Sequence, residues 1–298
     1  MTITMTGASG MIGRRLLKNF AAAGHDVRVL SRHAGTNLPG GIKLFAWDPT
    51  KGLPPEESLR DSDAVVHLAG EPVAQRWNDA VKQRIRDSRV MGTRNLVTGL
   101  SRLARRPAAL ICASAVGYYG SRGDEVLSES AGPSNSWLSE VCVEWEREAE
   151  VAGTLGMRVV CVRTGLVLDP RGGALQRMLP PFRMGVGGRL GSGKQWMPWI
   201  HLADLAALYQ FAVETTVRGA VNGVAPNPVT NGEFTRELAK AVHRPAIFAV
   251  PLIALKLMFG EMAEVLLASQ RVVATAAESA GFRFQYPQLG PALKNLLG

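Results

Sequence analysis

Through the first half of the chain, short apolar runs alternate with longer stretches in which apolar positions recur every three or four residues. The runs TITMT (2–6), DVRVL (26–30), IKLFAW (42–47), AVVHLA (64–69), PAALICAS (107–114) and MRVVCVRTG (157–165) predict strands. Helical periodicity predicts helices over 11–23, 87–105 and 137–155 between several of them. Near-continuous apolar strands separated by helices belong to a parallel sheet covered on both faces. The expected fold class is therefore α/β, a doubly wound parallel sheet. Beyond about residue 170 the pattern loosens: Gly, Pro and aromatic residues crowd 170–200, and a mixed tail runs to 298. This divides the chain into 1–168 for the sheet, completed by about 199–225, and 169–298 for a smaller α+β unit.

The most apolar stretch, AIFAVPLIALKLMFGEMAEVLLA (246–268), is broken by Pro251, Lys256, Glu261 and Glu264. A membrane span needs roughly 20 consecutive, predominantly apolar residues. A strand followed by a buried helix is the expectation instead, with no membrane partner. The first strand begins directly after Met1, so no secretory leader is read. Cys112, Cys142 and Cys161 lie far apart, and two of them fall in strand runs, where a free thiol packs as a small hydrophobe. The expected compartment is a reducing cytoplasm.

Composition changes this picture little: 298 residues, 46% hydrophobic and 20% charged, are those of a folded globular chain. Charge changes it more. Much of the net +9 lies in 76–106, where Arg76, Lys82, Arg84, Arg86, Arg89, Arg94, Arg102, Arg105 and Arg106 face only Asp79 and Asp87. No aromatic platform or groove-reading motif accompanies them, so no nucleic-acid partner is expected. The charge reads as a solvated helix face that also attracts an anionic cofactor and substrate.

The strongest chemical signal is MTGASGMIG, which sets Gly7, Gly10 and Gly13 between the first strand and the first helix. The first glycine permits a tight turn, the second lets backbone approach a pyrophosphate, and the third packs helix on strand. The turn and its flank, Gly7, Ser9, Gly10, Met11, Ile12 and Gly13, are candidate cofactor ligands of a Rossmann-type dinucleotide site. The second strand ends in Ser31 and Arg32 with no acid. A carboxylate there would repel a ribose 2′-phosphate, whereas a guanidinium grips one. The expected cofactor is NADP(H), with Arg32 as the main 2′-phosphate ligand and Ser31 assisting. Asp48, ending the third strand, is a candidate for the adenine amino group or a turn residue beside Pro49. Leu68, Ala69 and Gly70, after the fourth strand, complete the cofactor set together with Arg163.

With these residues in view, the chain resembles an extended short-chain dehydrogenase/reductase. More narrowly it is similar to the atypical NAD(P)-dependent epimerase/dehydratase-like branch that carries a C-terminal domain of unknown function. The resemblance runs nearly end to end. It rests on TGASGMIG (6–13), HLAGEPV…RW (67–77), SRVMGTRNLV (88–97), CASAVGYYG (112–120), VCVEWE (141–146), VRTGLVL (162–168), GSGKQWMPWIHLADL (191–205) and ESAGFRFQYPQLGPAL (278–293). It implies NADP(H) binding and, by analogy, a sugar-nucleotide-like substrate. In ordinary relatives a tyrosine exchanges a proton with the substrate oxygen, a lysine four residues on supports it, and a serine after the fifth strand polarises that oxygen.

Here the tyrosine slot falls at Trp137 or Leu138 and the lysine slot at Val141 or Cys142. No lysine lies between 83 and 193, and none of the four tyrosines has one four residues later. Ser114 keeps the serine position, with Tyr118 and Tyr119 close behind. These three are the candidate catalytic residues: Tyr118 as proton donor, Ser114 stabilising the new alkoxide, and Arg122 or Arg163 supplying the missing positive charge. Tyr119 is expected to be partly structural. Loops converging on the carboxyl ends of the strands offer Glu71, Arg76, Trp77, Gln195, Trp199 and His201 for the substrate, or the tryptophans as core packing. His201 has no second ligand at metal spacing, and no metal is expected.

Two readings follow. One is an NADP(H)-dependent oxidoreductase or epimerase-like enzyme acting on a small carbonyl or sugar-nucleotide-like molecule. The other is a catalytically inactive NADP(H)-binding sensor or scaffold. The helix 137–155 is expected to cover apolar surface with Trp137, Leu138, Val141, Trp145 and Ala149 while Glu140, Glu144, Glu146, Arg147 and Glu148 stay wet. It also offers a surface for a homodimer.

Overall fold

The computed structural model describes residues 1–32 and 42–298, the side chains of 258 and 259 excepted. Its centre is a sheet of seven strands, β1 (Thr2–Thr6), β2 (Asp26–Ser31), β3 (Lys43–Ala46), β4 (Ala64–His67), β5 (Ala109–Ala115), β6 (Arg158–Thr164) and β7 (Gly219–Gly223). They run in the order β7-β6-β5-β4-β1-β2-β3, and all pairings are parallel. The order reverses between β1 and β4, which opens a crevice at the carboxyl ends of the strands.

Eight helices matter here: α1 (Met11–Ala22), α2 (Asp79–Ser101), α3 (Trp137–Thr154), α4 (Gly173–Arg183), α5 (Leu202–Glu214), α6 (Asn231–Ala241), α7 (Leu252–Phe259) and α8 (Leu289–Leu297). Strand alternation sorts the sheet's side chains between two cores. Ile3, Met5, Ala109 and Ile111 face α1 and α5, meeting Leu16, Phe20, Leu205 and Tyr209. Leu110, Cys112 and Cys161 face the other way, onto Leu96 and Leu100 of α2 and Trp145 and Ala149 of α3. A third core, with Leu175, Phe182, Trp199, Phe234, Leu238 and Leu293, holds the C-terminal part together. Cys112, Cys142 and Cys161 are free and buried. Burial pushes the Cys112 and Cys142 thiols up to about 12.

The observed elements depart from the expected ones in three instructive places. The second long helix starts at Asp79 instead of 87, because the Asn78 side chain accepts from the Val81 N–H and caps it. Its first turns bury Val81 and Ile85, two apolar positions diluted in the sequence by surrounding charge. The apolar stretch 246–268 does give a strand and a helix, but the helix is not buried. Ile253 and Leu257 are 74% and 72% exposed, and Leu255 is its buried contact. Last, Glu146 is not wet: it is 6% exposed. No helix among the described residues is long and apolar enough to cross a membrane.

The chain leaves the sheet after β6, runs through the C-terminal part, and returns as β7. Asn222 of β7 then pairs with Arg163 of β6, which pairs with Ser114 of β5. This rung lies at the carboxyl end of the sheet beneath α3.

Candidate functional site

The glycine turn is built as its spacing demands. Gly7 has a φ of +69° and lies against the Leu68 carbonyl, where a Cβ would sit 2.7 Å from backbone. A Cβ on Gly13 would lie 2.3 Å from the Gly7 oxygen. Gly10 caps α1, its N–H donating to the Gly7 carbonyl at 3.1 Å. Among the described residues no side chain caps this helix, and no acid lies in its first turn. The result is a cradle of backbone N–H groups at a positive helix end, open to an anion. Ser9 and Gly10 are exposed there, and Met11 and Ile12 are half-buried.

The facing loop is tied to β1. The Thr6 hydroxyl accepts from the N–H groups of Leu68 and Ala69, both at 3.0 Å, so its own proton turns to His67 Nδ1 at 2.7 Å. Burial holds the His67 imidazole neutral, its pKa lowered to about 4. Gly70 packs on the Arg89 guanidinium, whose Nη1 donates to the carbonyls of Glu71 (2.9 Å) and Ile85 (3.1 Å). Arg89 thus buttresses the loop, a role its place in a basic helix concealed. Arg32 is exposed at the end of β2 beside Ser31. Asp48 is occupied locally: Oδ1 accepts from the Thr50 N–H and hydroxyl, and Lys51 lies 3.5 Å from Oδ2.

At the centre of the crevice the structure supplies what the sequence did not reveal. The Ser114 hydroxyl donates to Glu146 Oε1 at 2.5 Å. Arg163 donates to both oxygens of that carboxylate, Nε to Oε1 at 2.9 Å and Nη2 to Oε2 at 2.8 Å. Burial works against the Arg163 cation, but the hydrogen bonds and charge of Glu146 outweigh it and hold the guanidinium above its ordinary pKa. Glu146 was legible in hindsight. It stands four residues after buried Cys142 and three before buried Ala149, on the inward face of α3.

Two of the candidates are engaged within the protein. Arg163, placed in the cofactor set by the sequence, is 5% exposed and paired with Glu146. Tyr119, expected to be partly structural, is fully buried, its hydroxyl donating to Asn222 Oδ1 at 2.7 Å and accepting from Arg163 Nη1 at 3.0 Å. Burial raises its pKa despite the neighbouring Arg163. Tyr118, by contrast, is half-buried, and the Arg163 guanidinium carbon lies 3.5 Å from its ring centre. Its carbonyl is fixed by the Ser139 hydroxyl at 2.6 Å and the Ser134 N–H at 3.1 Å. Gly117 makes room for Leu138, whose Cδ2 lies 2.7 Å from where a Cβ would stand. Arg122 is paired with Glu125 instead.

The substrate candidates separate into two groups. Glu71, Arg76 and Trp77 lie together after β4, and the Trp77 ring meets Trp137 edge-on at 4.9 Å, with the Lys82 ammonium 5.5 Å from Trp137. Lys82 also pairs with Glu261. Gln195, Trp199 and His201 form the second group and are buried. Trp199 is fully buried in the third core. Gln195 donates to the Leu190 carbonyl at 3.0 Å. His201 Nδ1 accepts from the Ala203 N–H at 3.0 Å to cap α5, its ring stacked on Tyr286 at 3.9 Å. Asp204, read as a helix-starting residue, lies in the first turn of α5 and accepts from the N–H groups of Gln285 and Tyr286.

A seven-stranded parallel sheet with a glycine turn at its switch point and a serine–tyrosine loop beside it defines a Rossmann-type nucleotide-binding protein of the short-chain kind. The sequence model of the NAD dependent epimerase/dehydratase family matches residues 3–225, and a domain of unknown function (DUF1731) matches 250–296. The chain belongs to this epimerase/dehydratase family. An epimerase family protein of Mycobacterium bovis is 42% identical over 294 residues, covering 98% of this chain and 96% of the relative. A chloroplastic homologue from Arabidopsis thaliana is 40% identical over 309 residues, covering 100% of this chain and 87% of its own. The crystal structure of human epimerase family protein SDR39U1 (isoform2) with NADPH superposes with a TM-score of 0.90 at 34% identity, covering 100% and 99% of the two chains.

Proposed function

We propose that this chain is an NADP(H)-dependent oxidoreductase or epimerase-like enzyme for a small carbonyl or sugar-nucleotide-like substrate, with Tyr118 as the proton-exchanging group. The observation that carries the reading is the Arg163 guanidinium against the Tyr118 ring. It puts a fixed cation over the face of the ring, close to the group proposed to carry charge in the reaction, where ordinary relatives have a lysine. Glu146 holds that cation directly by two hydrogen bonds, and Asn222 holds it indirectly, accepting from the Tyr119 hydroxyl that Arg163 also contacts.

The cradle of Gly7, Gly10 and Gly13, flanked by Ser9, Met11 and Ile12, fits a pyrophosphate, and Arg32 with Ser31 suits a 2′-phosphate. Leu68, Ala69 and Gly70 line the other wall. Asp48, engaged with Thr50 and Lys51, is left out of this set. A bound nicotinamide would donate or accept the hydride. The relative solved with NADPH supports the choice of nucleotide. Glu71, Arg76 and Trp77, with Trp137 added, are proposed to receive the substrate; an aromatic wall beside cations suits an anionic or sugar-bearing molecule.

Deuteride transfer tests this. Protein loaded with 4-deuterated NADPH is incubated with a metabolite extract and the products are analysed by mass spectrometry. A labelled metabolite is expected, and Tyr118→Phe is expected to lose most of the transfer. Undiminished transfer in that variant would sink the role of Tyr118. Tight NADPH binding with no transfer from several extracts would favour the sensor reading instead.

A further inference from the structure

The loop that carries Tyr118 is held by a segment from the far end of the chain. Gln270 Nε2 donates to the Val116 carbonyl at 2.7 Å, at the start of the short 3₁₀ turn Val116–Tyr119. Gln270 is itself buried, and its N–H donates to the Trp196 carbonyl at 3.2 Å. Its neighbour Ser269 takes the stretch after the turn. The Ser269 carbonyl accepts from the Arg122 N–H at 2.9 Å, and its N–H donates to the Ser121 hydroxyl at 3.1 Å. The Ser269 hydroxyl donates to the Gly123 carbonyl at 2.8 Å and accepts from the Trp196 N–H at 3.1 Å. Arg271–Val272 then runs parallel to Val126–Leu127, and the Val273 N–H donates to the Leu127 carbonyl at 3.0 Å. A second route reaches the same ring. Asn222 Nδ2 donates to the Val273 carbonyl at 2.9 Å while its Oδ1 accepts from the Tyr119 hydroxyl, which Arg163 contacts in turn.

We propose that residues 269–273 form a strap that sets the position of Tyr118, with Gln270 and Ser269 as positioning residues. The region matched by the domain of unknown function, 250–296, then serves the transfer step and leaves cofactor binding to the first half of the chain. The inference rests on the reading of Tyr118 as the proton-exchanging group. Ordering a loop costs backbone entropy residue by residue, and the strap supplies the hydrogen bonds that offset it. None of these bonds ends on the glycine turn or on Leu68, Ala69 and Gly70. Gln270 acts on Tyr118 through the Val116 carbonyl, and Ser269 acts through the backbone of 122 and 123. A proton donor must sit within hydrogen-bond reach of the oxygen it serves. A misplacement of about 1 Å can cost roughly 100-fold in rate, so losing the strap strikes the rate before it strikes cofactor affinity.

Two variants of the full chain test it. Gln270→Met keeps the side-chain length and loses the donor, and Ser269→Ala is a milder change should the first fail to fold. Each is labelled with ¹³C in its tyrosine rings; the chain has four tyrosines, and Tyr118→Phe assigns the signal that matters. In both variants the Tyr118 signal is expected to move or broaden while those of Tyr209 and Tyr286 stay in place. Ser269→Thr, which keeps the hydroxyl, is expected to restore it. NADPH affinity is expected to stay within about twofold of the parent, because the strap and the glycine turn share no partner. Deuteride transfer into a metabolite extract at saturating cofactor is expected to fall roughly 10- to 100-fold. Leu296→Ala, a partly buried change in the third core, is the control for general loosening. A Tyr118 signal unmoved in both variants, a shift as large in Leu296→Ala, or NADPH affinity lost in step with transfer would each overturn the strap. Undiminished transfer in Tyr118→Phe would instead remove the reading of Tyr118, and the ring signals would still decide whether 269–273 positions it.

Discussion

Glu146 on α3 and Arg163 on β6 share two hydrogen bonds, at 2.9 and 2.8 Å, with both side chains almost wholly buried. A buried pair of this kind is expensive to break from one side. Arg163→Met or Glu146→Leu alone leaves a charge without its partner and is expected to cost about 3–5 kcal/mol of stability. The double variant, which removes both charges, is expected to be more stable than the two single losses added together. Denaturant unfolding of the four proteins measures the coupling; strict additivity would mean that the pair is not acting as a pair.

The glycine cradle gives a second prediction. Gly13→Ala drives a methyl to 2.3 Å from the Gly7 carbonyl, and because that contact is backbone the turn itself must shift. A loss of about 1–3 kcal/mol in stability is expected, together with most of the NADPH affinity. Gly52→Ala is the control, since nothing lies within 4 Å of where its methyl would stand; it should stay within about 0.5 kcal/mol of the parent. Isothermal titration with NADPH, beside thermal unfolding, separates the two effects.

Much of this cradle, and of the sheet around it, was legible because it rests on local rules. A glycine at a positive φ, an apolar strand, and a helix opening without an acid are each written in a few consecutive residues. The centre of the crevice was not, because it is made of pairs distant in the chain. Ser114, Glu146 and Arg163 come together only when β5, α3 and β6 are stacked in register. Glu146 in particular looked like one more glutamate among several on a charged helix, and only the inward face it shares with Cys142 and Ala149 set it apart. Trp199 and His201 show the converse, since Trp199 could be read from the sequence either as substrate wall or as core packing. Their chemistry is suggestive, but burial assigned them to the third core and to a helix cap.

Cofactor selectivity is a third expectation. Arg32 is exposed at the end of β2, and Arg32→Ala removes the guanidinium proposed to grip a 2′-phosphate. A hydrogen bond to a charged group contributes about 1.5–3 kcal/mol, so NADPH affinity should fall by roughly 10- to 100-fold. Affinity for NADH should barely change. Parallel titrations of the two nucleotides check this, and an equal loss for both would remove Arg32 from the 2′-phosphate site.

His67 makes stability depend on pH. Burial lowers its folded pKa to about 4, whereas an unfolded histidine titrates near 6.5. Between these values the unfolded chain takes up a proton that the folded one refuses, so stability is present above about pH 6.5 and falls as the pH drops toward 4. From pH 7 to pH 5 the expected loss from this residue is about 2 kcal/mol. Urea unfolding at the two pH values measures it, and a His67→Gln variant should flatten the difference by that amount.

The return of the chain as β7 has a consequence for how the molecule can fail. The outermost strand on this side of the sheet, Gly219–Gly223, is delivered only after about fifty residues of excursion, and Asn222 arrives with it to receive the Tyr119 hydroxyl. A chain ending at 168 would carry the glycine turn, Ser114, Tyr118, Glu146 and Arg163, yet leave β6 as a raw edge with its peptide groups unmatched. Damage to the later half, by deletion or by frameshift, would therefore unseat an earlier half that contains the whole proposed reaction centre. The ligand-facing inventory and the means of keeping it in shape are written in different parts of the gene, and neither is inherited usefully without the other.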